Sequence, residues 1–485
     1  MSMSESNQRR NPVADRVKIR RPDTPPRPRG EFDVSLLAQV HETWSSKLLH
    51  RFLTHDALRV LRTLTPILRL PAVPKLRLPS FTFVFRFDDV VDVLEHDRVF
   101  KVLGERIKRS NAGLNFLLGM PDDEERLGQP TRQANGDAIH EPRCPVHRDI
   151  DPSDRGYRSY QAQVQSLFKR EDLPMVAEIV ERHTENVLRA ATHAEVDVID
   201  KLITGCPIQI CREYYGLEIP DDAELKHWLF MLSRWDFDPL DPSLFEASAL
   251  EASQRLNELI DRSIAAHPDP QRTVLGRMLD QGLDPARLRV IMGGMVLGFV
   301  PTNTMAGDHI LGQLLEHPEM QDCARRAAQL ADPEPLKRCL FEAFRFDPLD
   351  REPLRVCTQD YTLAAGKWYS HKLRAGDQVI VMTRSAMMDR SAFVDPHKFN
   401  PERRGYNKLL FGYGLHRCIG APLAETQLTS MFNVLLANRT LERTPGNTRQ
   451  ALGPFATSLK IRISPLGRRY RAENLGSRGL MTPAP

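Results

Sequence analysis

The chain is poor in organised cysteine. Its seven cysteines, at 144, 206, 211, 323, 339, 357 and 418, are odd in number and widely scattered. No pair has zinc-site spacing and no regular set suggests a disulfide framework. Long apolar runs are scarce too. The longest uncharged stretch, Val290 to Gly307, is interrupted by Pro301, Thr302, Asn303 and Thr304. It reads as a poor membrane span, so no transmembrane anchor is expected. A signal-peptide apolar region is also missing, which predicts a cytoplasmic protein. Charge of one sign is in short supply: the formal net charge is +4. Residues 1–30 carry eight Arg/Lys against three Asp/Glu, so the remainder is near neutral. That balance argues against a general nucleic-acid binder.

What is present is the composition of a globular protein, 41% hydrophobic and 27% charged. Residues 1–30, basic and rich in proline, read as a disordered tail, and residues 467–485 as a C-terminal tail. Between them, residues 31–466 read as one domain, mainly α with a small β portion. Phe81 to Phe87 alternates with the period of a half-buried strand. Residues 121–156 have no apolar periodicity and predict a long loop excursion. From Tyr157 to Leu330 the pattern is mostly helical, with breaks near 216–222, 237–243 and 267–272. Residues 354–382 predict short strands with turns at Ala365-Gly366 and Ala375-Gly376.

Ten residues carry the strongest chemical signal: Phe411-Gly-Tyr-Gly-Leu-His-Arg-Cys-Ile-Gly420. One cysteine sits among glycines, beside cations, ahead of the helical pattern Ala421 to Leu436. Positive charge and a helix N-terminus are expected to lower a thiol's pKa. Gly412, Gly414 and Gly420 are expected to supply unusual backbone angles or close approach. The second signal is Glu342-Ala-Phe-Arg345 within a helical pattern, Leu336 to Phe346. Residues three apart share a helix face and can pair. Phe399-Asn-Pro-Glu-Arg403 lies between the two motifs.

These patterns, in this order, resemble the cytochrome P450 family. The resemblance spans roughly residues 35–465 and implies a single haem-thiolate domain. Cys418 would be the proximal ligand of the iron of haem b. His416 and Arg355 would meet the haem propionates, and Phe411 would pack beside the thiolate. Gly412 and Gly414 would shape the loop. Glu342, Arg345 and Arg403 would form a buried charge network that locks the fold. Tyr157 and Gln161 stand where the family commonly has His-x-x-x-Arg, which leaves those propionate contacts unassigned.

The oxygen-side helix departs from the family pattern. Arg289 to Leu315 is long, apolar and rich in glycine, and Thr302 lies fifteen residues before His317-Pro318. Pro301 then occupies the place of the usual acid. Proline relays no proton, removes the bond to the Leu297 carbonyl and is expected to kink the helix. Thr302 and Asn303 are the catalytic candidates. Asn303 reads equally as a helix-packing amide or as a group that holds a peroxide oxygen.

The resemblance implies an enzyme: a monooxygenase inserting one atom of O2 into a small apolar substrate. Electrons would come from a ferredoxin or flavodoxin docking near Arg403, Arg404, Lys408 and Arg417. A peroxide-using enzyme (peroxygenase or fatty-acid hydroperoxide isomerase) is the alternative that Pro301 favours. A non-enzymatic gas-binding haem protein is a third. Residues 112–118, 297–300 and 454–458 read as pocket lining or as core.

Overall fold

In a computed structural model of the chain, the structure describes residues 62–65, 67–70, 81–102, 162, 164–191, 195–237, 246–349, 352–405 and 409–465. The proposed tails, the 121–156 loop, residues 112–118, Tyr157, Gln161 and Lys408 lie outside them.

The described residues are mainly helical, with small sheets. Strands β1 (Ile67–Leu70), β2 (Phe81–Val84), β3 (Phe100–Val102), β4 (Glu195–Asp197), β5 (Leu354–Cys357), β6 (Tyr361–Leu363), β7 (His371–Leu373), β8 (Gln378–Val381), β9 (Arg439–Arg443), β10 (Gln450–Leu452), β11 (Phe455–Ser458) and β12 (Lys460–Pro465) form four sheets. The largest has the order β1-β2-β8-β5-β3. Its β2–β8 pair is parallel, with Phe81 opposite Gln378, and its other pairs are antiparallel.

The strand expected from Phe81 to Phe87 stops at Val84, and Phe87 opens the helix Phe87–Glu95. Asp88 and Asp89 in the first turn suit a helix N-terminus, which favours negative charge. The short strands expected across 354–382 form as read. Gly366 (φ +80°) and Gly376 (φ +91°) turn the chain in the left-handed region.

The long helix Pro285–Glu316 is the central element. Asp284 caps it, accepting a 3.0 Å bond from the Arg287 N–H, and Pro285 fits the first turn where no N–H is needed. The helix continues as one element through Pro301. By length and composition it could cross a membrane, but most of it is buried inside the protein. Its approach to the five-residue π-helix Ile199–Ile203 is close: a Cβ on Gly307 would lie 2.7 Å from Ile203 Cγ2. One turn earlier, the Thr304 and Thr204 hydroxyl oxygens lie 3.2 Å apart, within hydrogen-bond reach. These two contacts fix the register of the long helix.

Candidate active site

The cysteine loop is built by its glycines. Gly412 and Gly414 have φ of +72° and +67°. A Cβ on Gly414 would lie 2.7 Å from the Leu94 carbonyl, so the loop sits directly on the end of Phe87–Glu95. Gly420 differs from expectation: its φ is an ordinary −77°, and a Cβ there would lie 3.8 Å from the Cys418 sulfur, an ordinary contact, so neither backbone angle nor close approach demands glycine. The Cys418 N–H donates to the Phe411 carbonyl at 2.8 Å and closes the loop. The Phe411 ring lies 5.7 Å from that of Phe341, which ties the loop to the helix Glu334–Phe346.

Cys418 is solvent-accessible and stands just before the helix Ala421–Leu436. Its sulfur accepts hydrogen bonds from the backbone N–H groups of Gly420 and Ala421. The expectation that this setting lowers the thiol pKa is corrected. Burial among neighbouring atoms pushes the thiol up, and the two N–H bonds and the Arg417 charge only offset part of that. Two donors aimed at one sulfur nonetheless suit a thiolate held by a metal, since metal binding itself removes the proton.

Behind the loop lies the charge network. Arg345 makes two bonds of 2.9 Å to the two Glu342 carboxylate oxygens. Arg403 Nε adds one of 3.0 Å, and the Asn400 N–H one of 3.1 Å. One carboxylate faces two guanidinium groups, so a positive charge is left over. It is solvated by carbonyls: Met387 and Pro396 accept from Arg345, and Val394, Asp395 and Lys398 accept from Arg403. Glu342 and Arg345 are fully buried. Arg403 is buried as well and is therefore removed from the expected docking face, where Arg404 and Arg417 are exposed.

The long helix presents an open stripe. Gly294 and Gly298 are exposed, Leu297 and Thr302 are half-buried, and the rest of this stretch is largely core. A Cβ on either glycine would meet no atom within 4 Å. Residues at 294, 298 and 302 are four apart and share one face. Phe299, Val300 and Pro301 point into the core, so the expected lining of 297–300 is reduced to Leu297 and Gly298. Phe455 and Ala456 are likewise core, with Phe455 stacked on Phe230 at 5.1 Å.

Three consecutive side chains donate to carbonyls four residues back. Thr302 bonds the Gly298 carbonyl, Asn303 that of Phe299 (2.8 Å) and Thr304 that of Val300 (2.9 Å). Asn303 Oδ1 is buried with no partner. The next acid along the helix, Asp308, is held by Arg449 at 2.8 and 3.1 Å. Arg355 lies on β5, buried, with Nη1 donating to the Leu354 carbonyl at 3.0 Å. His416 ends the short turn Gly414–His416 and is half-buried.

The sequence profile of the Cytochrome P450 family matches residues 245–457, the part that holds the long helix, the Glu342 network and the cysteine loop. By that match and by its fold, the chain is similar to the cytochrome P450 family. Cytochrome P450 monooxygenase PikC of Streptomyces venezuelae is 27% identical over 59% of this chain and 67% of its own. Erythromycin C-12 hydroxylase of Saccharopolyspora erythraea is 27% identical over 61% of this chain and 73% of its own. A solved structure of a P450 EryK mutant with erythromycin B superposes with a TM-score of 0.64 at 22% identity, covering 87% of this chain and 98% of that chain. That similarity implies a haem-thiolate cofactor, a small-molecule substrate and a source of electrons. The residues fit that cofactor: one accessible sulfur with two N–H donors on one side, and side-chain-free helix positions on the long helix.

Sequence reasoning missed the glycine stripe, the Thr304–Thr204 clasp and the Asp308–Arg449 pair. A helical-wheel count from Thr302 would have found the stripe. The other two join residues about a hundred or more positions apart, and no local pattern marks them.

Proposed function

We propose that this chain is a P450 monooxygenase that inserts one oxygen atom of O2 into a small, largely apolar molecule. The cofactor is haem b, held by the Cys418 sulfur. The observation that carries this reading is the Cys418 loop, with its two backbone N–H donors and its brace, the Glu342–Arg345–Arg403 network. When bound, a thiolate-ligated haem supplies oxygen activation and favours O–O cleavage.

The chain's own residues do the rest. Gly420 and Ala421 hold the sulfur in place through their N–H groups. Arg355 and His416 provide the cationic groups for the propionates. Gly294 and Gly298 leave room for the flat cofactor and the substrate, and Leu297 offers an apolar contact. Thr302 donates its proton to the Gly298 carbonyl, so its oxygen lone pairs are free to accept a bond from a water. Proton delivery then runs through that hydroxyl and water, because Pro301 has no proton to give and Asp308 is tied to Arg449. Electrons arrive from a ferredoxin- or flavodoxin-type protein that meets the exposed Arg404 and Arg417.

The same two facts at Pro301 and Asp308 favour a second reading, in which the enzyme takes hydrogen peroxide or a lipid hydroperoxide as its oxygen source. Asn303, with an unpartnered Oδ1, is the polar group nearest in sequence to the relay. Turnover with reduced ferredoxin and O2 in the presence of catalase supports the monooxygenase. Product formed only from added peroxide, with no electron donor, supports the second reading and contradicts the first.

A further inference from the structure

A recess of about 550 Å³ stands outside everything assigned above. Among the described residues its walls are Arg62, Thr63, Arg86, Asp389, Arg390 and Ser391. Three guanidinium groups thus share the recess with one carboxylate, an excess of two positive charges. Arg62 is 6% exposed, and its Nη1 donates to the Ser385 carbonyl at 2.6 Å, which fixes it in the wall. Arg86 rests on the Tyr369 ring, 4.8 Å from its centre, and Arg390 is exposed. Neither Arg86 nor Arg390 forms a salt bridge with another described residue. Asp395, the acid whose charge Arg390 feels, is paired with Lys398 at 2.9 Å.

The one acid in the wall serves the backbone. Asp389 is buried, with Oδ2 accepting from the Phe87 N–H at 3.1 Å and Oδ1 from the Ser391 N–H at 3.0 Å. Its two bonds hold the start of the helix Phe87–Glu95 against the 385–391 segment, and one carboxylate cannot balance three cations.

We infer that this recess binds the phosphate group of a phosphate monoester. The inference stands apart from the function proposed above, because it uses neither the cofactor nor the oxidised substrate. The chemistry selects the ligand. A phosphate monoester carries a charge of about −1.5 to −2 at neutral pH on one compact group with three acceptor oxygens. That matches the excess of two, whereas a single carboxylate leaves one charge over. The planar guanidinium fork fits phosphate oxygens in pairs, and the hydroxyls of Thr63 and Ser391 add polar groups to the wall. The volume lies within the roughly 300–1,000 Å³ of small-molecule sites, which leaves space for the organic part of the ester.

Occupancy would reach both braces of the cysteine loop. Arg86 immediately precedes Phe87–Glu95, and the loop rests on the far end of that helix at Leu94. The opposite wall continues from Met387, whose carbonyl accepts from Arg345 of the charge network. A ligand that binds only the folded state raises the melting temperature with its concentration.

The test uses the full-length, haem-loaded protein at low salt, with calorimetric titration and thermal melts. The probes are glycerol 3-phosphate and adenosine 5′-monophosphate, with succinate as a dicarboxylate control. The expected result is saturable binding of at least one ester and a melting temperature that climbs with its concentration. Arg390→Ala and Arg86→Gln should each weaken binding about tenfold or more. Arg189→Ala, at an exposed position on another helix, should leave it unchanged. Arg390 is on the surface, so its variant keeps the test valid if Arg86→Gln fails to fold. Sedimentation with phosphatidylcholine vesicles, with and without phosphatidic acid, locates the phosphate. Retention that depends on phosphatidic acid and is lost in Arg390→Ala assigns a lipid head group, and its absence assigns a soluble ester. Lack of binding to both esters and to the vesicles would overturn the inference. So would affinity unchanged in Arg390→Ala, or succinate bound as tightly as the esters.

Discussion

Arg345 grips Glu342 with two parallel bonds of 2.9 Å from the next turn of the same helix, and neither side chain touches solvent. A buried pair of this kind stabilises little relative to apolar packing, but losing one partner is severe because the other charge is stranded. Glu342→Ala strands two guanidinium groups at once. It should destabilise the protein by about 3–5 kcal/mol, read by urea denaturation, and lower the yield of haem-loaded protein. A loss of less than about 1 kcal/mol would mean that the carbonyls alone suffice.

Gly414 and Gly412 should respond differently to alanine. Both pay the left-handed penalty of about 1–2 kcal/mol. Only Gly414 adds a collision, 2.7 Å from the Leu94 carbonyl, while the nearest atom to a Gly412 Cβ is 3.4 Å away. Gly414→Ala should therefore be the more destabilised in parallel melts. Equal melting shifts would contradict this account of the loop.

Gly298→Ala should do the opposite. The position is helical with open space around it, and alanine favours a helix over glycine by about 0.5–1 kcal/mol. Stability should rise slightly. Substrate-induced spectral shifts should weaken, because a methyl group now projects from the open stripe. Unchanged substrate binding would remove Gly298 from the pocket.

Much of this was legible in the sequence, for definite reasons. The cysteine loop is ten contiguous residues whose glycines have backbone tasks, and two of the three tasks are those expected. Glu342 and Arg345 share a helix face by spacing alone. What was not legible is carried by backbone atoms and by distance. The carbonyls of Val394, Asp395, Pro396 and Lys398 solvate Arg345 and Arg403, and a carbonyl has no residue signature. Strand β4 is three residues long and exists because β12, at 460–462, pairs with it. Such a strand is too short for periodicity to reveal. The direction of the Cys418 thiol was misjudged because a motif shows charges and N–H groups but not desolvation.

Thr302→Ala separates the two proposed oxygen sources. If the hydroxyl passes protons, product should fall several-fold while NAD(P)H consumption persists and peroxide accumulates. The coupling ratio, product per NAD(P)H, is the measurement. An unchanged ratio takes Thr302 out of proton delivery.

His227 predicts an acid sensitivity. Burial holds its pKa below the usual imidazole value, so below about pH 6.5 the unfolded chain takes up that proton more readily than the folded one. Stability tied to His227 is complete above the unfolded pKa and declines as pH falls towards the folded one. His227→Gln should flatten the stability profile below about pH 6.5. A profile identical to wild type would assign that slope elsewhere.

The central claim is that the sulfur of residue 418 binds the haem iron. The direct measurement is the absorption spectrum of the reduced protein under carbon monoxide, compared with that of Cys418→Ser. Wild type should show the red-shifted Soret maximum that a thiolate ligand produces, and the variant should lose it. A wild-type spectrum without that shift, or one that Cys418→Ser leaves unaltered, would contradict the account.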